Sequence, residues 1–300
     1  MKNLYTILFM SILIFNSKNC FTQIQNKDSV YTFKKGDYNG IGKWYMGREI
    51  AHVMGYQAIG WLERSAREQE ENVTKLIENM KINSNDVVAD IGAGSGYHSF
   101  KISSKSDNGL VYAVDIQPEM LMVIENRKKL IGVINIKTIL GSEKSVNLPT
   151  NSLDKVLMVD VYHEFNFPVE MIASIKKALK PNGKLFLVEY RSEDPNVPIK
   201  SIHKMSKEQA VKEMNMAGFK FIKNINNLPW QHCMVFEKKK PCKLITYKVN
   251  CGERGIRTPG GVTLNSFQDC RIRPLCHFSK CMANIISFFY SFKIICLYFI

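Results

Sequence analysis

Between residues 86 and 190 the sequence alternates short apolar runs, rich in β-branched residues, with longer stretches of helical spacing. Asp86–Gly92 (DVVADIG), Leu110–Ile116 (LVYAVDI), Ile134–Leu140, Asp154–Tyr162 (DKVLMVDVY) and Leu185–Tyr190 (LFLVEY) read as strands. Tyr97–Lys105, Pro118–Leu130 and Pro168–Leu179 read as the helices between them, with proline at 118 suited to a first helical turn. Strands this continuously apolar must be covered on both faces, so the pattern specifies an α/β fold with a mostly parallel sheet. Pro181-Asn182-Gly183 marks a turn before the fifth strand. Ser206, with Gln209 three positions on, forms a capping box for a helix ending near Gly218. Phe219–Ile225 and His232–Glu237 are two final strands, expected to pair as an antiparallel edge. Ahead of the sheet, Gly47–Leu62 and Ala66–Met80 read as two helices bridged by the acidic patch Glu68, Glu70 and Glu71.

The net charge of +14 on 300 residues suggests a polyanion partner until it is located. Residues 241–300 carry +6 of it and the leader at 1–23 carries +2, leaving a mild +6 for 24–240. With no basic stripe interleaved with aromatics, nucleic acid is not an expected partner. A hydrophobic share of 45% excludes wholesale disorder. Six of the eight cysteines fall in the last sixty residues, one is Cys20, and the body keeps only Cys233, so its stability must come from packing and not from disulfides.

The two ends differ from the body. Residues 1–23 have Lys2, an apolar run over Leu4–Phe15 and a polar close, the anatomy of a secretory signal peptide or an N-terminal anchor. Cys20 lacks the small-residue run of a lipidation site. The protein is accordingly expected to be exported, periplasmic or tethered by its leader, and cytoplasmic if the leader is not used. Residues 24–80 are expected to form a helical extension or lid, and 81–240 the main domain. After Lys238-Lys239-Lys240-Pro241 no period persists. Zinc binding by Cys270, Cys276, His277 and Cys281 is disfavoured by irregular spacing, and no metal is expected. The segment GIRTPGG…FQDCRIRPLCH resembles peptides read antisense across a transfer-RNA gene, and Gly255–Thr258 can be encoded by the complement of such a gene's T-arm. Residues 241–300 are therefore expected to be accidental coding with no selected fold.

The sharpest motif is Asp90-Ile91-Gly92-Ala93-Gly94-Ser95-Gly96-Tyr97, at the junction of the first strand and first helix. Glycines here let the backbone turn tightly and let a ligand lie against the main chain. The dinucleotide fingerprint G-x-G-x-x-G fails, because Tyr97 stands at its last position. Asp90 would repel a diphosphate, and suits a ligand that is cationic at that spot. Asp115 closes the second strand, where an acid can accept two ribose hydroxyls.

An acid before a G-x-G-x-G turn and an acid ending the second strand resemble the class I S-adenosylmethionine-dependent methyltransferases. The resemblance covers roughly residues 81–240 and implies a Rossmann-like, seven-stranded, mostly parallel sheet with helices on both faces and an antiparallel last strand. It implies that Gly92, Ala93, Gly94 and Gly96 cradle the methionine portion, Asp90 orders its amino end, Asp115 grips the ribose and Ile116 lies against the adenine. Glu143, in Gly141-Ser142-Glu143, stands where the family often has an acid for the adenine amine, although Ser142 departs from that pattern. The wider segments YMGREIAHVMG and LVEYRSEDP…PIKSIHKMS resemble bacterial methyltransferases distantly related to quinone-biosynthesis enzymes.

On this reading the fourth strand presents Asp160, Tyr162, His163 and Glu164 to the reacting methyl group. Methyl transfer needs mainly alignment, plus a base where the nucleophile must lose a proton. His163 is the expected base, and Asp160 holds either the methionine end or the acceptor. His52, Trp230-Gln231-His232 and the group Lys200, His203 and Lys204 are weaker candidates for the pocket's rim. The expected acceptor is a small molecule. An exported nucleoside-binding protein without catalysis is the alternative, and a nicotinamide-dependent oxidoreductase fits Asp90 and Tyr97 poorly.

Overall fold

A computed structural model describes residues 30–240; the expectations for the leader and for residues 241–300 lie outside the described residues. The described chain begins with an antiparallel meander of β1 (Tyr31–Phe33), β2 (Gly40–Tyr45) and β3 (Arg48–Ala51), where the sequence had pointed to helix from Gly47 onward. Met46 and Gly47, with φ of 49° and 101°, close a two-residue turn that pairs Tyr45 with Arg48. Left-handed conformation at both central positions matches the twist of a hairpin. A four-residue run such as Arg48-Glu49-Ile50-Ala51 fits either period, and pairing with Trp44 and Tyr45 decides it. Only a 3-10 turn at Tyr56–Ala58 and the short α1 (Ile59–Leu62) remain of that helix.

The second expected helix divides into α2 (Arg67–Glu71) and α3 (Val73–Met80). Asn72 breaks it with φ of 52°, and its side-chain oxygen accepts the Lys75 N–H at 3.1 Å to cap α3. Val73, Leu76, Ile77 and Met80 then form one buried stripe at helical spacing.

The remaining elements are β4 (Val87–Ile91), α4 (Tyr97–Ser103), β5 (Leu110–Asp115), α5 (Pro118–Ile131), β6 (Ile136–Leu140), β7 (Leu153–Val159), α6 (Pro168–Ala178), β8 (Leu179–Tyr190), α7 (Lys207–Met216), β9 (Phe219–Asn224) and β10 (Gln231–Lys238). Seven strands form one sheet in the order β6-β5-β4-β7-β8-β10-β9. All pairs from β6 to β8 are parallel, while β10 runs antiparallel to both neighbours. This is the Rossmann-like fold expected, with the last strand inserted between β8 and β9 instead of at the margin. Burial of six consecutive residues in β10 follows from that interior position.

Alternate residues of the strands supply two cores, one per face. Ala89, Met158, Leu187 and Phe236 pack with α6 and α7. Val88, Leu157, Phe186 and Val235 pack with α3, α4 and α5. Each of these buried valine, leucine, methionine and phenylalanine side chains contributes about 1.5–3 kcal/mol relative to an exposed one. The strand order reverses between β4 and β7, which opens a crevice at their carboxyl ends. Among the described residues no helix is long and apolar enough to cross a membrane.

Candidate active site

A cavity of about 540 Å³ occupies that crevice. Gly92 and Gly94 form one wall, in the turn leaving β4. Gly94 has φ of 55° and Gly92 a φ of 73°, left-handed settings that strain any other residue, and a Cβ at Gly92 would lie 2.9 Å from Val161 Cβ. Asp115, at the end of β5, clasps the turn: its Oδ2 accepts the Gly94 N–H and its Oδ1 accepts the Gln117 N–H, both at 2.9 Å. Burial raises the Asp115 carboxyl, against the pull of those amides. Ile116, 37% exposed, presents its apolar side chain to the same cavity. Gly141, Ser142 and Glu143 close the far end, where Glu143 Oε1 accepts from Asn166 Nδ2 at 3.1 Å.

Three expected contact residues lie elsewhere. Asp90, Ala93 and Gly96 are not among the lining residues. Asp90 points behind the turn, where its Oδ2 accepts from Ser99 Oγ at 2.6 Å, and burial raises its carboxyl to about 6. Ala93 belongs to the core under α5, and a Cβ at Gly96 would lie 2.9 Å from Ile124, so helix packing holds that glycine. His52 is exposed and away from the cavity.

Asp160 follows β7 with φ of 50°, a strained setting for an aspartate. Its Oδ2 accepts from Gln231 Nε2 at 2.6 Å. Its Oδ1 and Gln231 Oε1 are both buried with no hydrogen-bond partner among the described residues. Burial, then the charges of Glu71 and Glu189, push the Asp160 carboxyl well above its ordinary value. Arg67 and Glu71 reach the same part of the cavity from α2, joined at 2.9 Å, with Arg64 and the Tyr190 hydroxyl also on Glu71.

The opposite part of the cavity holds two histidines and a carboxylate. His163 and Glu164 lie in a 3-10 turn, Tyr162–Glu164, just past β7, and His203 ends a 3-10 turn, Ser201–His203. His163 Nδ1 is 2.6 Å from Glu189 Oε2; a carboxylate only accepts, so Nδ1 carries the proton. Nε2 meets His203 Nδ1 at 3.2 Å. Burial pulls His163 down, but the charge and hydrogen bond of Glu189 raise it overall. Burial and the neighbouring His163 lower His203 to about 4, and burial raises Glu164 to about 7.

The meander braces this turn from outside. Arg48 of β3 forms a two-pronged pair with the fully buried Glu213, at 2.8 and 3.1 Å, and donates to the His163 carbonyl at 3.2 Å. Lys43 of β2 donates to the Asn166 side chain at 3.1 Å.

A family profile described as a methyltransferase domain matches residues 82–248. The chain belongs to this methyltransferase-domain family. It is 34% identical over 132 residues, 44% of its length, to an uncharacterised methyltransferase-like protein of Schizosaccharomyces pombe, and spans only 48% of that protein. It is 29% identical to the uncharacterised methyltransferase YdaC of Bacillus subtilis, over 49% of this chain and 78% of YdaC. The crystal structure of a SAM-dependent methyltransferase from Aquifex aeolicus superposes with a TM-score of 0.58 over 61% of this chain and 98% of that one, at 20% identity, a likeness of fold.

The residues of this methyltransferase-family site fit S-adenosylmethionine. Gly92 and Gly94 hold left-handed conformations that leave the main chain bare, Ile116 offers an apolar face, and the unpartnered Asp160 Oδ1 and Gln231 Oε1 are acceptors that suit an ammonium. Sequence reasoning missed Arg67, Glu71, Glu189 and Tyr190. One signal for Glu189 was available: a carboxylate inside the apolar run LFLVEY needs a buried partner.

Proposed function

We propose that the protein is an S-adenosylmethionine-dependent methyltransferase acting on a small-molecule acceptor. The observation that carries this is the buried, unpartnered oxygen of Asp160, in the segment leaving β7 that packs against the glycine turn of β4, where Gly92 and Gly94 hold left-handed conformations that disfavour a side chain. S-adenosylmethionine supplies an electrophilic methyl group. Gly92, Gly94, Asp115 and Ile116 would hold its nucleoside, and Asp160, Gln231 and Arg67 its amino-acid end. Glu143 remains a candidate for the far end of the nucleoside.

The chain's own contribution is positioning. Asp115 holds the turn in shape, and Val53, Met54, Trp61 and Leu62 line the cavity with apolar groups. The acceptor belongs on the side of His163, His203 and Glu164, where Glu189 orients His163 and Arg48 fixes its backbone. Two bodies held in line account for most of the rate that such a displacement requires. The buried acids Asp90, Asp160 and Glu71 disfavour a dinucleotide diphosphate, which speaks against the nicotinamide alternative.

Calorimetric titration of the purified full chain tests the reading. Micromolar binding of both S-adenosylmethionine and S-adenosylhomocysteine is expected, with Asp160→Asn about 10-fold to 100-fold weaker. An equal loss for both places Asp160 at the ammonium they share; a greater loss for S-adenosylmethionine places it at the sulfonium. Absence of heat with either compound, or displacement by a nicotinamide dinucleotide, would overturn the proposal. The acceptor is then sought by incubating cell extract with labelled cofactor and finding masses that gain one methyl group.

A further inference from the structure

We infer that His163, His203 and Glu164 form a binding site for one divalent first-row transition cation, with zinc the best-suited ion. His163 Nε2, His203 Nδ1 and Glu164 Oε1 stand 3.2, 3.9 and 4.0 Å apart. The circle through three points so spaced has a radius of about 2.2 Å, so one position is equidistant from all three at the length of zinc–nitrogen and zinc–oxygen bonds, about 2.0–2.2 Å.

The surroundings are those of a metal ligand set. Glu189 Oε2 accepts a hydrogen bond from His163 Nδ1–H, which fixes the tautomer that leaves Nε2 free to ligate. Glu189 is itself locked, its Oε1 accepting the Tyr162 and His163 N–H groups at 3.0 and 3.3 Å. Arg48 secures the backbone of the same turn. Two imidazoles and a carboxylate suit zinc, manganese, cobalt or iron(II), and are a poor set for magnesium or calcium, which take oxygen ligands.

All three residues line the cavity, so the positions the protein leaves open face the acceptor side. This arrangement is that of a catalytic rather than a closed structural centre. It favours an acceptor that offers a hydroxyl or thiol donor to the ion, a consequence that rests on the methyl-transfer reading, whereas binding of the ion does not.

The test uses the full chain, stripped with chelator and titrated with Zn²⁺ by calorimetry and with Co²⁺ by visible absorption. Cobalt distinguishes this site from the cysteine-rich residues 241–300, because thiolate ligands add a charge-transfer band and imidazole with carboxylate does not. The expected result is one Co²⁺ per chain with ligand-field bands and no thiolate band. His203→Ala and Glu164→Gln should each weaken it at least 10-fold, and Glu189→Gln about 10-fold to 100-fold through His163. His203 is part-exposed, so its variant is expected to fold, and its circular dichroism is checked alongside. A cation retained unchanged in His203→Ala and Glu164→Gln, or only thiolate-type binding, overturns the site. S-adenosylhomocysteine affinity measured on the same samples separates the two proposals. If it is intact without a His203-dependent cation, the site fails alone; if it is absent beside such a cation, the methyltransferase reading fails alone.

Discussion

Replacing Asp90 by asparagine should stabilise this protein, by an amount that depends on pH. Asp90 is fully buried behind the glycine turn, and desolvation raises its carboxyl from 3.8 to about 6 although Ser99 and Arg67 pull it down. A raised folded-state value means that the native protein binds the proton more tightly than the unfolded chain does. Stability therefore falls as pH rises from about 4 to 6, and the whole cost is present above that window. A shift of about two units corresponds to about 3 kcal/mol at pH 7.5, and to only about half a kcal/mol at pH 4. Asparagine has the same shape, keeps an oxygen for the Ser99 hydroxyl at 2.6 Å and carries no charge. Urea unfolding followed by circular dichroism should thus give Asp90→Asn a gain approaching 3 kcal/mol at pH 7.5 that all but vanishes at pH 4. For a domain of this size, the midpoint of thermal unfolding should rise by about 6–12 °C at the higher pH. An equal effect at both pH values, or a loss at pH 7.5, would show that Asp90 is not held as a desolvated anion.

Three other outcomes are expected. Arg48→Met strands the Glu213 carboxylate, whose solvent exposure is nil, and should cost about 3–5 kcal/mol in urea unfolding, with much of the loss recovered in Arg48→Met/Glu213→Leu. Asp115→Asn leaves one oxygen for two backbone amides, and should weaken S-adenosylhomocysteine about 10-fold by calorimetry with little change in melting temperature. Cys233 is buried and its thiol pushed up to about 12, so mass spectrometry should find it unalkylated at pH 8 in the native protein and fully alkylated in urea.

Local signals were legible in the sequence, and convergent ones were not. The β4 turn is written in eight consecutive residues, so the cavity's glycine wall could be placed before any fold was known. Apolar runs announced β4, β5, β7 and β8 because parallel strands bury both faces. The meander escaped because Gly47–Ala51 is too short to show a period, and its pairing partner Tyr45 lies across a turn that needs a left-handed methionine. Asp90 was expected to face the ligand, but a strand alternates its faces and Asp90 falls on the side of α4, within reach of Ser99. His203 is forty residues from His163 in sequence and on a separate turn, so no spacing rule connects them. Arg67 and Glu71 precede the seven-stranded sheet altogether, on a separate short helix, so no motif in the sheet's sequence points to them.

The distribution of buried charge indicates where a ligand's positive group belongs. Every buried carboxylate costs several kcal/mol unless it is compensated, and most here are. Glu71 meets Arg64, Arg67 and Tyr190; Glu213 meets Arg48 and Tyr162; Glu189 meets His163; Asp86 meets Lys155. Asp90, Asp115 and Asp160 are the exceptions: none has a cation at contact distance among the described residues, and all three are raised by burial. Asp90 lies behind the glycine turn on Ser99, Asp115 spends its oxygens on backbone amides, and Asp160 alone of the three lines the cavity with an unpartnered oxygen. A fold that neutralises most of its buried acids and leaves an unpartnered Asp160 oxygen at its switch point is complementary to one positive group delivered from solution. On the methyl-transfer reading proposed above, S-adenosylmethionine offers an ammonium and a sulfonium and its demethylated product only the ammonium, so a carboxylate beside the sulfonium would favour binding before transfer and release after it.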